Sequence, residues 1–188
     1  MNVDEAVQKR RAKRAISTND IPIEFLGKMV EAMRLAPSCN NQQPWRVVAV
    51  RGQERLAALK EALTKGNRWA TRSPMVLAVC AKQDDDCQLS DNRNYFLFGC
   101  GLAVGQMLLQ ATELGIIAHP IAGYDPLKVK EVLKVPHEYV VITLVICGYP
   151  DTDMSLMSEK QIAAEAERPV RKPIGENFFK DEWGVPLT

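Results

Sequence analysis

Ala36-Pro37-Ser38-Cys39-Asn40-Asn41-Gln42-Gln43-Pro44-Trp45-Arg46 sets four side-chain amides and a hydroxyl between two prolines, directly before the apolar run Val47-Val48-Ala49-Val50. Proline fixes φ and removes a backbone donor, so the stretch reads as a rigid polar loop feeding a strand. Ser38, Asn40, Asn41, Gln42 and Gln43 offer donors and acceptors without net charge, which suits a neutral heterocycle or polyol read by hydrogen bonds. In an arbitrary turn the same amides would only cap neighbouring backbone, so the flanking segments have to decide between the two readings.

Upstream, Asn2 and Glu5 have capping-box spacing and open a first helix with Val3 and Val7 on one face. It runs into Lys9-Arg10-Arg11-Ala12-Lys13-Arg14, five cations in six positions. Such a run is ordinarily a solvated face. Placed just beyond a helix it can also grip one phosphate, because guanidinium groups match phosphate oxygens bidentately. A second helix starts at Asn19-Asp20-Ile21-Pro22. Its apolar residues Ile23, Leu26, Val30 and Met33 recur at spacings of three and four, and it ends at Ala36-Pro37, where it delivers the amide loop.

Downstream, Trp45 to Val50 predicts a strand, and Gln53 to Lys65 a helix with Leu56, Leu59 and Leu63 inward. Met75 to Ala81 is a continuous apolar run that predicts a buried strand. Gln83 to Ser90 is a surface loop. Asn94 to Leu114 predicts a central helix, apolar nearly all round and closed by Gly115. Gly101 and Gly105, four apart, would let another helix approach closely, and a helix this apolar needs cover on all sides, which predicts a core position plus a dimer interface. Ile116 to Pro120 is a short strand leading into Ile121-Ala122-Gly123-Tyr124. Asp125-Pro126 opens a short helix carrying Leu127, Val132 and Leu133. Tyr139 to Cys147 is the third strong strand. Residues Asp151 to Glu167 are polar. Beyond them come Arg168-Pro169-Val170-Arg171-Lys172-Pro173 and a tail with Phe178, Phe179 and Trp183, whose aromatics predict a tail that wraps a neighbouring chain.

With 188 residues, 46% hydrophobic and 25% charged, the chain has the composition of a soluble protein able to bury a core, and we expect one domain over 1–188 with 151–188 as a C-terminal extension. A net charge of +1 gives no reason to expect nucleic acid or membrane partners. The run Tyr95 to Leu109 is too short and glycine-rich for a membrane span, and no signal peptide is evident. Five cysteines without a C-x-x-C pair, and two histidines without ligand spacing, predict a reduced, cytoplasmic protein with no metal site. Cys39 reads as a small residue that fits its loop, with no partner cysteine nearby in sequence. His119 is either a packed strand-end residue or one that orients a substrate.

Taken together, the arginine cluster, the amide loop, the Pro-Ile-Ala-Gly segment and the late Arg-Lys-Pro resemble, in order and spacing, the nitroreductase family of FMN-dependent oxidoreductases. The amide loop is close to that family's A-P-S-x-x-N-x-Q-P-W. The resemblance implies an α+β fold, a mainly antiparallel sheet with helices on both faces, in an intertwined homodimer. It implies that Arg10, Arg11 and Arg14 grip the FMN phosphate and ribityl chain, with Ala12 where the family usually has serine. It implies that Pro37, Ser38, Cys39, Asn41 and Gln43 reach the flavin from the second subunit. Pro120, Ile121, Ala122 and Gly123 would line the isoalloxazine, and Arg171 with Lys172 would complete the phosphate site. The implied activity is transfer of hydride from NAD(P)H through bound flavin to an electron-poor acceptor, a nitroaromatic or quinone, by a ping-pong mechanism in which no side chain acts as catalyst. A flavin-binding sensor or carrier without turnover is the alternative. A basic-arm nucleic-acid binder is weaker, since no aromatics interleave Lys9 to Arg14.

Overall fold

The structure, a computed structural model, describes residues 1–187; Thr188, the last residue of the expected extension, lies outside them. Four strands form one antiparallel sheet: β1 (Arg46–Val50), β2 (Met75–Ala81), β3 (Ile117–Ile121) and β4 (Val140–Gly148), in the order β1-β2-β4-β3. All seven residues of β2 are buried because it lies inside the sheet with both faces covered, which is why its sequence is continuously apolar. Met75, Leu77, Val79 and Ala81 face one core, and Val76, Ala78 and Cys80 face the other.

The first core is closed by helices α2 (Ile23–Arg34) and α4 (Phe96–Glu113), and the second receives Leu56 and Leu59 of α3 (Gln53–Lys60) and Val129 of α5 (Pro126–Leu133). Helices therefore cover both faces of an antiparallel sheet, the α+β arrangement expected. The capping box of Asn2 and Glu5 opens α1 (Val3–Lys9), and Asp125 caps α5 as its sequence predicts. Two short helices follow β4: α6 (Glu159–Ala166), with its own Ser158–Gln161 capping box, and α7 (Ile174–Asn177).

Several faces differ from the sequence reading. On α2 the buried stripe is Leu26, Met29 and Met33, while Ile23 and Val30 are 63% and 44% exposed. Val3, Val7 and Leu127 are exposed too; Ala6 and Val129 are the buried residues of α1 and α5. The helix expected to Lys65 stops at Lys60, and a 3-10 segment over Lys65–Arg72 buries Trp69 and Ala70 instead. On α4, Phe96, Cys100, Ala103, Met107 and Ala111 are buried, but Leu97 and Phe98 are exposed, and nothing lies within 4 Å of where a side chain on Gly101 or Gly105 would sit. Among the described residues, no helix is long and apolar enough to cross a membrane.

Candidate functional site

The basic run leaves α1 at Lys9 and continues as extended chain, because Ile16 is captured at the end of β4. Ile16 bridges Pro150, Ser17 N donates to Tyr149 O at 2.9 Å, and Asp151 N donates to Ala15 O at 3.0 Å. Gly148 makes this approach possible, since a Cβ there would lie 2.9 Å from Ile16 Cβ. The arginines are thereby held against the chain that follows α6.

Arg10, Arg11, Ala12, Arg14, Ala164, Arg168, Pro169 and Arg171 line one cleft of about 190 Å³. Among the described residues none of its five arginines forms an ion pair. Burial, with Arg168 and Arg171 close by, lowers the Arg10 pKa from its ordinary value. The one buried carboxylate beside them, Glu165, is taken by the backbone N–H of Arg14. Like charges gathered without ion pairs repel, and an anion shared by several guanidinium groups would offset that repulsion.

The five arginines do different work. Arg11 donates to the last carbonyls of α6, at 3.0 Å to Ala164 and Glu165 and 3.4 Å to Ala166, which places its charge at the helix's negative end. Arg168, which the sequence reading passed over in favour of Arg171 and Lys172, donates to the carbonyls of Gln8 and Arg10 at 2.6 and 2.8 Å and fixes the basic segment. Its signal was its place in the same Arg-Pro-Val-Arg-Lys run. Arg14 lies over the Trp69 ring at 5.9 Å. Lys172 does not line the cleft; it is directed to Glu176 at 3.8 Å.

The Pro120–Gly123 segment is tied to the same region. Pro120 and Ile121 are the last residues of edge strand β3, where the missing proline N–H is tolerated. Just before them His119 is buried against Trp69, ring centroids 4.8 Å apart, with Nδ1 2.9 Å from the Lys13 carbonyl. A carbonyl only accepts, so Nδ1 carries the proton and His119 braces the basic segment from the β3 side. Trp69 therefore touches both Arg14 and His119. Beyond the strand, the Gly123 carbonyl accepts from Thr64 Oγ1 at 2.9 Å and Asn67 Nδ2 at 3.0 Å. A Cβ on Gly123 would meet those same atoms at 2.7 and 2.5 Å, so glycine lets the clamp close. The sequence reading did not single out Thr64.

Burial pushes the His119 pKa down to about 4, with smaller contributions from Arg14 and Arg10. The unfolded chain takes up its proton first, near pH 6.5, so His119 contributes stability that is complete above that pH and is lost as pH falls toward 4. Between pH 6.5 and 5 we expect a loss of roughly 1.5 kcal/mol in denaturant melts. A His119→Gln chain, whatever its starting stability, should lack this slope; an equal slope in both would remove the assignment.

The amide loop is tied together by its own hydrogen bonds. Asn40, Asn41 and Gln43 take left-handed φ of 45, 58 and 50°, a conformation that asparagine tolerates better than most residues. Ser38 Oγ accepts from Gln43 N at 2.9 Å, and Gln43 Nε2 donates to Asn41 O at 3.1 Å. Pro44 packs over Gly99 of α4. None of Pro37, Ser38, Cys39, Asn41 and Gln43 lines the arginine cleft. Cys39 corrects the sequence reading: it is disulfide-bonded to Cys87, which follows β2, so the loop is pinned covalently. Cys80, Cys100 and Cys147 are buried free thiols whose pKa values burial pushes up to about 11, 12 and 12.

Comparison with known proteins accords with this architecture. The Nitroreductase family model matches residues 7–68 and 60–149. A protein of Archaeoglobus fulgidus, provisionally named NADH dehydrogenase/NAD(P)H nitroreductase, is 34% identical over 149 residues, covering 77% of this chain and 83% of its own. The FMN reductase (NAD(P)H) of Bacillus subtilis is 25% identical over 164 residues, covering 79% and 66%. A crystal structure described as an oxidoreductase containing FMN aligns with a TM-score of 0.84 at 26% identity, over 98% of this chain and 94% of that one. A nitroreductase family protein from Clostridium difficile shares the fold, with a TM-score of 0.80 at 23% identity over 97% and 99%.

Proposed function

The chain belongs to the nitroreductase family, and on that premise we propose that it passes reducing equivalents from NAD(P)H through FMN to an electron-poor organic acceptor, a nitroaromatic or quinone. It is an NAD(P)H-dependent oxidoreductase that uses FMN. The observation that carries the site assignment is the cleft of five arginines that form no ion pair among the described residues. A cofactor ending in a phosphate dianion supplies the charge that cleft lacks, so the residues present fit FMN.

Arg10, Arg14 and Arg171 would hold the phosphate. Arg11 and Arg168 would act mainly by fixing α6 and the basic segment through the carbonyls they already serve. Pro120, Ile121, Ala122 and Gly123 would lie along the ring, held in place by Thr64 and Asn67. Pro37, Ser38, Cys39, Asn41 and Gln43, which lie outside the arginine cleft of their own chain, would reach the ring edge from a second subunit. Exposed Leu97 and Phe98 and the open space above Gly101 and Gly105 support a homodimer built on α4, with residues from 151 onward wrapping the partner. Lys172, engaged by Glu176, would add only long-range charge. Bound flavin supplies hydride transfer at N5, so the protein's task is to orient the two ligands that use one face in turn. That gives ping-pong kinetics. We place the enzyme in the cytoplasm.

The visible spectrum of purified protein tests this reading. A flavin band that bleaches on anaerobic addition of NADH or NADPH, and returns on adding a quinone, is the expected result. A flavin that stays oxidised with both nucleotides would replace the enzyme by a carrier. A colourless protein that takes up no FMN would remove the site.

A further inference from the structure

Away from the arginine cleft, Asp86 is 6% exposed, and among the described residues neither of its carboxylate oxygens has a hydrogen-bond partner. An ionised carboxylate taken out of water without a partner costs several kcal/mol. The nearby cations do not relieve it. Arg46 and Lys82 pair with the adjacent Asp85, at 2.9 and 3.5 Å, and Tyr139 donates its hydroxyl to Asp85 as well. Instead Asp86 faces sulfur: one of its oxygens, Cys39 Sγ and Cys87 Sγ all lie within 4.8 Å of one another.

A disulfide offers a buried carboxylate neither a proton donor nor a positive charge. The same two sulfurs as thiolates would add two more negative charges to the site, which only a cation could hold together. Two thiolates and one carboxylate are the donor set of a borderline-soft divalent ion, since sulfur excludes magnesium and calcium and the carboxylate disfavours copper(I). Tetrahedral zinc with bonds of about 2.3 Å keeps two sulfurs roughly 3.8 Å apart. That separation is within reach of cysteines whose Cα atoms are 6.1 Å apart.

We propose that Cys39, Cys87 and Asp86, once the disulfide is reduced, form a binding site for a thiophilic divalent cation of the zinc(II) class, with water completing the coordination. A dithiol reductant breaks the S–S bond by giving it two electrons and two protons and leaves as its own cyclic disulfide. The ion then displaces both thiol protons to solvent. Oxidised, the pair is a covalent staple between the amide loop and the segment after β2; reduced, the metal bridges the same residues. The sequence reading expected no metal site because its ligands, 48 residues apart, leave no spacing signature. This inference does not depend on the flavin assignment.

Cobalt(II) tests it on the whole protein. The chain is reduced with dithiothreitol, desalted under argon and titrated with Co²⁺, reading the ligand-field bands in the red, where oxidised flavin does not absorb. We expect stoichiometric four-coordinate cobalt that Zn²⁺ displaces, and none in the unreduced protein, a comparison that needs no variant. Cys87→Ser should abolish the signal, and Asp86→Asn should weaken binding at least about tenfold. Absence of the bands in the reduced chain, their persistence in Cys87→Ser, or undiminished affinity in Asp86→Asn would each overturn the site.

Discussion

Arg171→Ala is expected to weaken FMN binding by roughly 10- to 150-fold, the equivalent of one charge-assisted phosphate bond of about 1.5–3 kcal/mol. Its guanidinium lines the cleft yet has no hydrogen bond or ion pair among the described residues, so removing it breaks no contact there and only eases its repulsion of Arg10. The melting temperature of the apoprotein should therefore stay within the range of an ordinary surface substitution. Arg11→Ala should behave in the opposite way. It strips three carbonyls at the end of α6 of their donor, so apoprotein stability should fall by about 1–2 kcal/mol, with a smaller change in FMN affinity. Arg14→Ala removes both the proposed phosphate contact and the cation over Trp69, and should affect both measurements. Quenching of FMN fluorescence on titration with apoprotein reads the affinity, and calorimetry of the apoprotein reads the stability. Undiminished affinity in Arg171→Ala would leave the cleft an anion site of another kind.

What the sequence made legible follows from which forces are local. Met75 to Ala81 is a strand in both readings because a strand covered on both faces has to be apolar throughout, and seven residues suit a strand better than a buried helix. Capping at Asn2 and Asp125 is equally local and was found. The inward face of α2 was not. Ile23 and Val30 satisfy the same helical periodicity as Leu26 and Met33, and only the position of α4 and the sheet selects Met29 in their place. Part of the site was legible as residue type and order: Arg10, Arg11, Arg14 and Arg171 do converge. How the arginines divide between anion and backbone was not, because it depends on the end of α6, where Glu165 is 151 residues from Arg14 by chain. The Cys39–Cys87 pair, Thr64 and the anchoring role of Arg168 were invisible for the same reason, each being defined by a partner distant in sequence.

Opening the Cys39–Cys87 bond is expected to destabilise the protein by up to about 4 kcal/mol, the chain-entropy value for a closed loop of this length. The bond spans 48 residues and encloses β1, α3 and β2, so the unfolded chain gains that freedom when it is broken. For a chain of this size the loss corresponds to a fall of roughly 8–16 °C in melting temperature. Thiol titration of the denatured, unreduced chain should find Cys80, Cys100 and Cys147 and no other reactive group. Melts with and without dithiothreitol then measure the effect, with Cys87→Ser as the permanently open form. A reduced chain that melts where the oxidised one does would mean the staple contributes nothing. Zinc separates the two ways of restoring the link. If the reduced thiols and Asp86 bind it, an ion concentration a hundredfold above its Kd returns about 2.7 kcal/mol to the folded state, and the melting temperature of the reduced wild type rises accordingly. In Cys87→Ser the same zinc should restore nothing. A cytoplasm that keeps thiols reduced would then exchange a covalent pin on the amide loop for a metal-held one. In the disulfide-bonded state Asn41 and Gln43 take the left-handed turns in which the loop presents its amides.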